Sequence, residues 1–206
     1  MKDLVCLVAD KNMEATVRGL LARVDALGIR ALEFDAFVHP QRDPGCFRNA
    51  HEFLRSRRSD YRHGLVLFDR AWEGAPARSA ADLEAELRAR LWQVSMADWA
   101  DVIVIDPELE VWVWSDSPHV ERHLGWRGRN PGLQTWLRGK GLWEEGRPKP
   151  EDPKAAVEQA LEAVRLPRSS SIYGKLARSV SVERCLDPGF RRFRELLQSW
   201  FPRRPI

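Results

Sequence analysis

The chain has 206 residues, carries a formal charge of +3, and is 44% hydrophobic with only 13 Gly and 13 Pro. This composition excludes a collagen-like or disordered chain and favours one large domain, or one domain with an added lobe. The apolar runs are far shorter than the roughly 20 residues that a helix needs to cross a bilayer. The sequence therefore predicts no membrane partner.

The start of the chain and its cysteines indicate the compartment. Residues 1–5 contain an early acid and no long apolar segment, which predicts a strand and not a signal peptide. Cys6, Cys46 and Cys185 cannot all pair within one chain, and none has the C-x-x-C spacing of a zinc ribbon. We therefore expect reduced thiols and a cytoplasmic protein.

Charged and aromatic residues are unevenly distributed. From Arg165 to Ile206 there are ten Lys and Arg but three Asp and Glu, so this basic tail carries +7 and the remainder carries −4. Such a tail either contacts nucleic acid, DNA or RNA, or forms a solvated helix face. Five of the nine Trp residues lie between Trp112 and Trp143. Most of them must be core at this density, although Trp rings can also stack on bases.

Three continuous apolar runs, at residues 4–8, 64–68 and 102–105, and one alternating segment at 32–38 are separated by segments of helix length. They predict a mostly parallel sheet whose second strand is half-buried. Helical spacing predicts a first helix over 13–27, capped by Asn12 and ended by Gly28. Asp106-Pro107 is typical of a helix start, although residues 108–114 also alternate as a strand would.

The second half of the chain predicts helices only. Residues 125–151 are rich in Gly, Pro and charge, which indicates a loop. Asp152 and Asp187 are each followed by Pro, so each is expected to begin a helix. The predicted architecture is an α/β domain over 1–116, with a four-stranded sheet flanked by helices, and a helical C-terminal extension over 117–206 packed on it.

Acidic residues follow three of the predicted strands. In open α/β sheets the chemistry lies at the carboxyl ends of the strands. The acids at or near those ends are Asp10, Asp69, Glu73, Asp106, Glu108 and Glu110. Carboxylates gathered at one edge raise each other's pKa, and a hard cation such as Mg²⁺ or Mn²⁺ relieves this repulsion. Each acid also has a structural alternative, as a turn residue or a helix cap.

One histidine is placed to take part in proton transfer. His39 directly follows the second predicted strand and precedes Pro40. From this position it can reach the acidic edge as a proton shuttle. Packing within the loop is the alternative.

The order of these motifs resembles a known group. Val8-Ala9-Asp10, the strand ending at Asp69, and residues 107–112, in which Glu110 precedes Trp112, are similar to the acidic motifs of small Toprim-like proteins. More narrowly, residues 8–13, 39–45 and 168–202 resemble the small Toprim-like component of the bacterial methylation-associated antiphage defence system. The resemblance implies a Toprim-like, mostly parallel sheet and other subunits of a defence system as partners.

The resemblance also implies roles for individual residues. Asp10 matches the general acid or base after the first strand, where the family has Glu, and Glu110 matches the acid before Trp112. Asp69 matches the first acid of an Asp-x-Asp pair that holds Mg²⁺, but Ala71 stands at the second position, so Glu73 is the nearby substitute. The predicted site also includes two residues chosen for their position after the strands. They are Glu108, as a further metal ligand, and His39, as a catalytic residue.

Two functions remain open at this stage. The first is a Mg²⁺-dependent nuclease or related phosphoryl-transfer protein of antiphage defence, in which the basic tail holds the phosphate backbone. The second is a non-catalytic Toprim-like subunit that binds nucleic acid or partner proteins, with an exposed Trp72 suited to docking. The missing second acid of the Asp-x-Asp pair is the feature that separates them.

Overall fold

The central sheet has four strands, all parallel, in the order β2-β1-β3-β4. A computed structural model describes residues 1–115 and 117–203. The strands are β1 Lys2–Val8, β2 Phe34–Val38, β3 Tyr61–Asp69 and β4 Ala100–Ile105. Cys6 in the central strand pairs with Ala36 on one side and with Leu65 on the other. The predicted parallel sheet is confirmed, because each connection contains at least one helix that crosses between strands.

Nine α-helices and one 3₁₀ helix surround this sheet within the described part of the chain. The α-helices are α1 Lys11–Leu21, α2 Val24–Leu27, α3 Arg42–Arg55, α4 Ala80–Gln93, α5 Pro118–His123, α6 Leu133–Gly139, α7 Pro153–Ala163, α8 Ser170–Ser179 and α9 Pro188–Trp200. The 3₁₀ helix spans Leu109–Trp112. Helices dominate the C-terminal part, as predicted.

The first predicted helix is divided in two. Its cap is Asp10 and not Asn12, because the Asp10 side chain accepts a hydrogen bond from the backbone amide of Met13 at 2.8 Å. The helix ends at Leu21, and the short α2 is the element that Gly28 closes, in a left-handed conformation with φ of 73°. The cap fixes the position of the Asp10 carboxylate at the end of β1.

Two predictions for the middle of the chain are wrong. Asp106 does not begin a helix, and residues 108–114 are not a strand: the Asp106–Pro107 peptide is cis, and the 3₁₀ helix begins only after Glu108. The segment 125–151 is not entirely a loop, because Leu133 and Leu137 are buried on one side of α6. Helix α6 has only seven residues, and the composition of the segment does not reveal so short a helix.

The C-terminal helices pack on the sheet and on α1. Helix α9 lies against β4 with Phe193, Leu197 and Phe201 fully buried, and α8 lies against α1. Trp112 donates its indole N–H to the Asp187 carboxylate that caps α9, at 2.9 Å. Both halves of the chain therefore contribute to one hydrophobic cluster. The predicted boundary at residue 116, and the chain end at 204–206, lie outside the described residues.

Thiols and helix lengths agree with the composition. Cys6 and Cys46 are buried, Cys185 is half-buried, and all three are free thiols. Across residues 1–115 and 117–203, every helix is too short or too polar to span a bilayer. Most of the Trp residues between 112 and 143 lie in the core, as their density predicted.

Candidate functional site

An open cavity of about 450 Å³ lies where β1, β3 and β4 end. Its walls contain six acidic and three basic residues: Asp10, Asp43, Asp69, Glu73, Glu108, Glu110, Arg42, Lys154 and Arg168. Five of the six residues predicted for the site are in this set. His39, the sixth, does not line the cavity.

Backbone geometry explains how the acids meet. Asp10 caps α1 directly after β1, and Asp69 is the last residue of β3. Glu108 and Glu110 follow β4 through the turn that contains the cis peptide. Because these strands are parallel, their carboxyl ends share one edge of the sheet. Asp43, in the first turn of α3, adds an acid that spacing did not point to.

Asp69 is the electrostatic centre of the cavity. Its backbone amide donates a hydrogen bond to Oδ1 of Asp43 at 2.9 Å, which holds the two acids together. Its own Oδ1 atom is inaccessible to solvent and has no hydrogen-bond partner among the described residues. Burial raises the pKa of Asp69 well above its usual value, and the negative charges of Asp43, Glu110 and Asp10 raise it further. Burial also raises the pKa of Asp43.

Two cations from the C-terminal part pair with Glu108 and Glu110. Lys154, in the first turn of α7, contacts the carboxylate of Glu108 at 2.7 Å. Arg168, just before α8, contacts Glu110 at 2.5 Å, and the hydroxyl of Tyr173 donates to the same carboxylate oxygen at 2.5 Å. The guanidinium of Arg70, in the loop after β3, pairs with Asp106.

These ion pairs determine which acids are available to act as a general base or to bind a cation. Glu110 is only 1% exposed and is bonded to Arg168 and Tyr173, so its carboxylate is not available as a general base in this conformation. Glu108 is bound to Lys154. Asp69, by contrast, has an oxygen with no partner and neighbours that repel its charge.

The carboxylates do not form a complete metal shell. Within residues 1–115 and 117–203, no three Asp, Glu, His or Cys side chains are placed to hold a metal ion together. Asp69, Glu73 and Glu108, the metal ligands expected from the sequence, therefore do not form a preformed shell, and their role in metal binding stays a prediction. The donor chemistry still fits Mg²⁺, which takes oxygen ligands and often only one or two protein carboxylates, with waters and substrate phosphates completing its shell.

His39 lies behind the cavity wall. It is 9% exposed, and its Nδ1 atom accepts a hydrogen bond from the backbone amide of Gln41 at 3.0 Å. Burial lowers the pKa of His39. No hydrogen bond within the described part of the chain joins it to an acid of the cavity. The geometry agrees with loop packing, and the proton-shuttle role stays a prediction.

Trp72 is not the exposed docking residue that the sequence predicted. It is half-buried, and its ring packs at 6.0 Å from the Phe47 ring and at 5.8 Å from the Phe68 ring. These contacts fix the loop after β3 against the sheet. Trp72 therefore forms part of the cavity wall.

The basic tail is partly neutralised within the protein. Arg192 pairs with Glu84 and with Asp101, the latter at 3.2 Å. Arg203 pairs with Asp25. Together with Arg168, at least three of the ten basic residues of the tail therefore have acidic partners. Contact of the tail with nucleic acid stays a prediction.

Sequence reasoning missed four residues of the site. Asp43, Arg168 and Tyr173 entered only through the resemblance, with no role assigned to them. No sequence pattern marked Lys154 as a site residue; it was noticeable only for its place directly after the helix start at Asp152-Pro153. Comparison of the chain with protein-family models, with curated proteins and with solved structures finds no match.

Proposed function

We propose that this protein is a Toprim-like component of a bacterial antiphage defence system, with a Mg²⁺-dependent, nuclease-like phosphoryl-transfer activity on nucleic acid. The observation that carries the proposal is the partnerless Oδ1 atom of Asp69 among like charges at the carboxyl edge of a parallel sheet. The assignment to defence rests on the resemblance over residues 8–13, 39–45 and 168–202.

A carboxyl group with one buried oxygen that lacks a partner is less favourable in its charged form than a solvated one. It must either keep its proton or gain a cation. Asp69, together with Asp43 or Asp10, would hold the metal ion. When bound, a divalent cation can activate water and stabilise the charge that develops on a transferred phosphoryl group.

The two cations are placed to orient a phosphate. Lys154 and Arg168 line the same cavity as Asp69, and their side chains are 40% and 32% exposed. The Nε, Nη1 and Nη2 atoms of Arg168 already donate to Tyr173, Glu158 and Glu110, so Arg168, like Lys154, would attract a phosphate mainly through its charge. The proposed roles are therefore cation binding by the sheet edge and phosphate binding by the C-terminal part.

A second candidate function has its own supporting observation. Glu110, the acid that the resemblance assigns to catalysis, is buried and bonded to both Arg168 and Tyr173. In a non-catalytic subunit this arrangement would only fix α8 to the sheet, and the cavity would bind nucleic acid or a partner without cleaving it.

Cation binding by wild type and by Asp69→Asn tests the proposal. We expect Mn²⁺ with a short DNA or RNA oligonucleotide to raise the melting temperature of wild type but not of Asp69→Asn. Asp98→Asn is the matched control, because Asp98 is exposed and lies outside the cavity. If Mn²⁺ shifts none of the three proteins, or shifts all three equally, the metal-site proposal is wrong.

A cleavage assay separates the two candidates. Mn²⁺-dependent cleavage of the oligonucleotide that is lost in Asp69→Asn supports the enzyme. Binding that depends on Mn²⁺ and Asp69, without cleavage, supports the non-catalytic subunit. The defence role is tested separately, by the plaquing efficiency of phage on bacteria that express the chain with its neighbouring genes, as wild type or as Asp69→Asn.

A further inference from the structure

A row of arginines begins at the acidic cavity and continues along α3. It consists of Arg42, Arg48, Arg55 and Arg58, all with exposed side chains, and we call it the arginine row. Residues 1–115 contain fifteen Lys and Arg. Eleven of them have a partner, and the four of the arginine row are those whose side chains have no hydrogen bond, ion pair or cation–π contact with a described residue. The unpaired cations of this half of the chain are therefore gathered in one place.

Helix geometry sets the direction and length of the row. Helix α3 begins at Arg42, which lines the acidic cavity, and ends at Arg55. At a rise of 1.5 Å per residue, Arg48 lies about 9 Å along the helix axis from Arg42, and Arg55 lies about 10 Å farther. Arg58 follows in the turn before β3. The row thus leads from the carboxyl edge of the sheet toward the opposite edge over about 20 Å.

The other side of α3 is fixed against the body of the protein. Cys46, Phe47, Ala50 and Leu54 are buried there, and the helix packs on β1, β3 and α4. Arg90 of α4 also donates to the backbone carbonyl of Phe47 at 2.7 Å. The arginine row is therefore carried by a helix that is held in place, with its charges on the solvent side.

The start of the row is held at the rim of the cavity. Arg42 has a φ of 50°, in the left-handed region that residues other than Gly rarely adopt. Its backbone amide donates to the carbonyl of His39 at 3.0 Å, and the amide of Gly45 donates to the carbonyl of Gln41 at 3.2 Å. A Cβ atom added at Gly45 would lie 2.0 Å from Nδ1 of His39, so the loop closes tightly around the His39 ring. The surrounding loop thus imposes a strained conformation on Arg42, as often occurs at functional sites.

The charge of this surface favours a polyanion. Glu52 lies between Arg48 and Arg55 on the exposed side of α3, and Asp60 follows Arg58, so two acids oppose four cations. The large apolar side chains that are exposed among the described residues lie outside α3. A protein partner usually requires a buried aromatic or aliphatic anchor, whereas a phosphate backbone requires only spaced cations. The row therefore fits nucleic acid better than an acidic protein.

We propose that the arginine row binds the phosphate backbone of a nucleic-acid strand that extends from the acidic cavity along α3. A strand in a helix carries one phosphate per about 3.4 Å, so a row of about 20 Å would meet about six nucleotides. The substrate class is then a polynucleotide and not a mononucleotide. The inference deepens the proposed function, and it rests on that function only for the part of the strand that enters the cavity.

Fluorescence anisotropy on the full chain tests the row, with a labelled oligodeoxythymidine of about twelve nucleotides as the probe, long enough to cover it. The buffer contains EDTA, so that no divalent cation engages the acidic cavity. We expect the double variant Arg48→Gln with Arg55→Gln to bind the probe about fivefold more weakly than wild type, or weaker still. The slope of log K against log salt should fall in magnitude by about 0.7 for each phosphate contact that is lost. A double variant that binds as wild type does, or a wild-type protein that does not bind, would overturn the proposal.

Two further variants separate a local effect from one of total charge. Arg127→Gln with Arg138→Gln is the matched control, because both residues are exposed and lie outside α3 and the acidic cavity. This control removes the same charge and should bind as wild type does. Glu52→Gln removes the acid within the row and should bind the probe more tightly. Equal losses in the two double variants would show that only the total charge matters, and the proposal would be wrong.

Two comparisons distinguish the occupant and the site. Poly-glutamate of matched length should not displace the probe at an equal concentration; displacement would identify an acidic protein as the partner and overturn the proposal. Asp69→Asn should bind the probe in EDTA as wild type does, because Asp69 acts only through the divalent cation. Failure of the Mn²⁺ test on Asp69 therefore rejects the metal site, whereas unchanged binding by the Arg48 and Arg55 double variant rejects the arginine row.

Discussion

The backbone amide of Asp69 donates to the Asp43 carboxylate at 2.9 Å, and this single hydrogen bond joins the end of β3 to the first turn of α3. It also places two carboxyl groups side by side in a half-buried position, where the charge of one raises the pKa of the other. The folded protein therefore keeps two carboxyl groups at the edge of its sheet that repel each other when both are charged.

Stability should depend on pH through these two acids. Because the pKa of each is raised in the folded state, the native protein holds protons that the unfolded chain, with an Asp pKa of about 3.9, has already released. Their favourable contribution is present below the unfolded pKa and is lost as pH rises through the folded pKa. Asp69→Asn replaces one of these acids by a neutral amide, which removes part of the stability loss that wild type suffers as pH rises. We therefore expect the variant to be as stable as wild type at pH 7, or more stable.

Urea unfolding between pH 4 and pH 8 measures this effect. The difference in unfolding free energy between wild type and Asp69→Asn should widen in favour of the variant as pH rises. Asp98→Asn serves as the control, and its curve should stay parallel to that of wild type. A variant that is less stable than wild type at every pH would mean that Asp69 only supports the turn.

Arg168 and Glu110 should be coupled in stability. Arg168→Gln leaves a carboxylate that is 1% exposed without its cation, which should cost about 2–3 kcal/mol, a value reduced from that of a fully buried pair because Arg168 is partly exposed. The double variant with Glu110→Gln should recover part of this loss, since the buried charge is gone. Glu158→Gln removes only the exposed partner of Arg168 and should change stability by less than about 0.5 kcal/mol. Strictly additive losses in a double-mutant cycle would show that the pair is not coupled.

Local sequence patterns were sufficient to predict the sheet and most of the acids at its carboxyl edge. β1, β3 and β4 are recognisable because each contains a continuous apolar run, and β2 is recognisable by its alternation; parallel connections then place Asp10 and Asp69 at the same edge. Glu108 and Glu110 also line the cavity, although the element that follows β4 was predicted incorrectly. Their position depends on the end of the strand more than on the type of turn.

Contacts between residues distant in sequence could not be inferred in the same way. Arg168 reaches Glu110 across 58 positions, and Lys154 reaches Glu108 across 46. No local periodicity encodes such pairings, because they depend on how α7 and α8 dock against the sheet. For this reason the sequence did not predict that Lys154 and Arg168 pair with Glu108 and Glu110.

The last helix should be an integral part of the core. Phe193 is fully buried on α9, so Phe193→Ala should reduce the free energy of unfolding by about 3–5 kcal/mol. Trp92→Ala provides the control, because Trp92 is 74% exposed and its loss should change stability by about 0.5 kcal/mol at most. Both proteins should unfold in one cooperative transition in urea. A Phe193→Ala protein with wild-type stability would identify α9 as a detachable arm.

Glycine at position 19 should be required for the packing of α1 against α8. A Cβ atom added at Gly19 would lie 2.7 Å from the Cβ of Ala177 and 2.9 Å from the carbonyl oxygen of Gly174. Ala normally stabilises a helix interior by about 0.5–1 kcal/mol relative to Gly, but here the overlap forces the two helices apart and should cost about 1–3 kcal/mol. Gly139→Ala is the matched control, because nothing lies within 4 Å of its added Cβ, and it should be neutral or stabilising. The double variant Gly19→Ala with Ala177→Gly should recover only part of the loss, since the Gly174 carbonyl still meets the new methyl group. Thermal or urea unfolding of the four proteins gives the comparison, and a Gly19→Ala protein as stable as Gly139→Ala would show that α8 does not lie this close to α1.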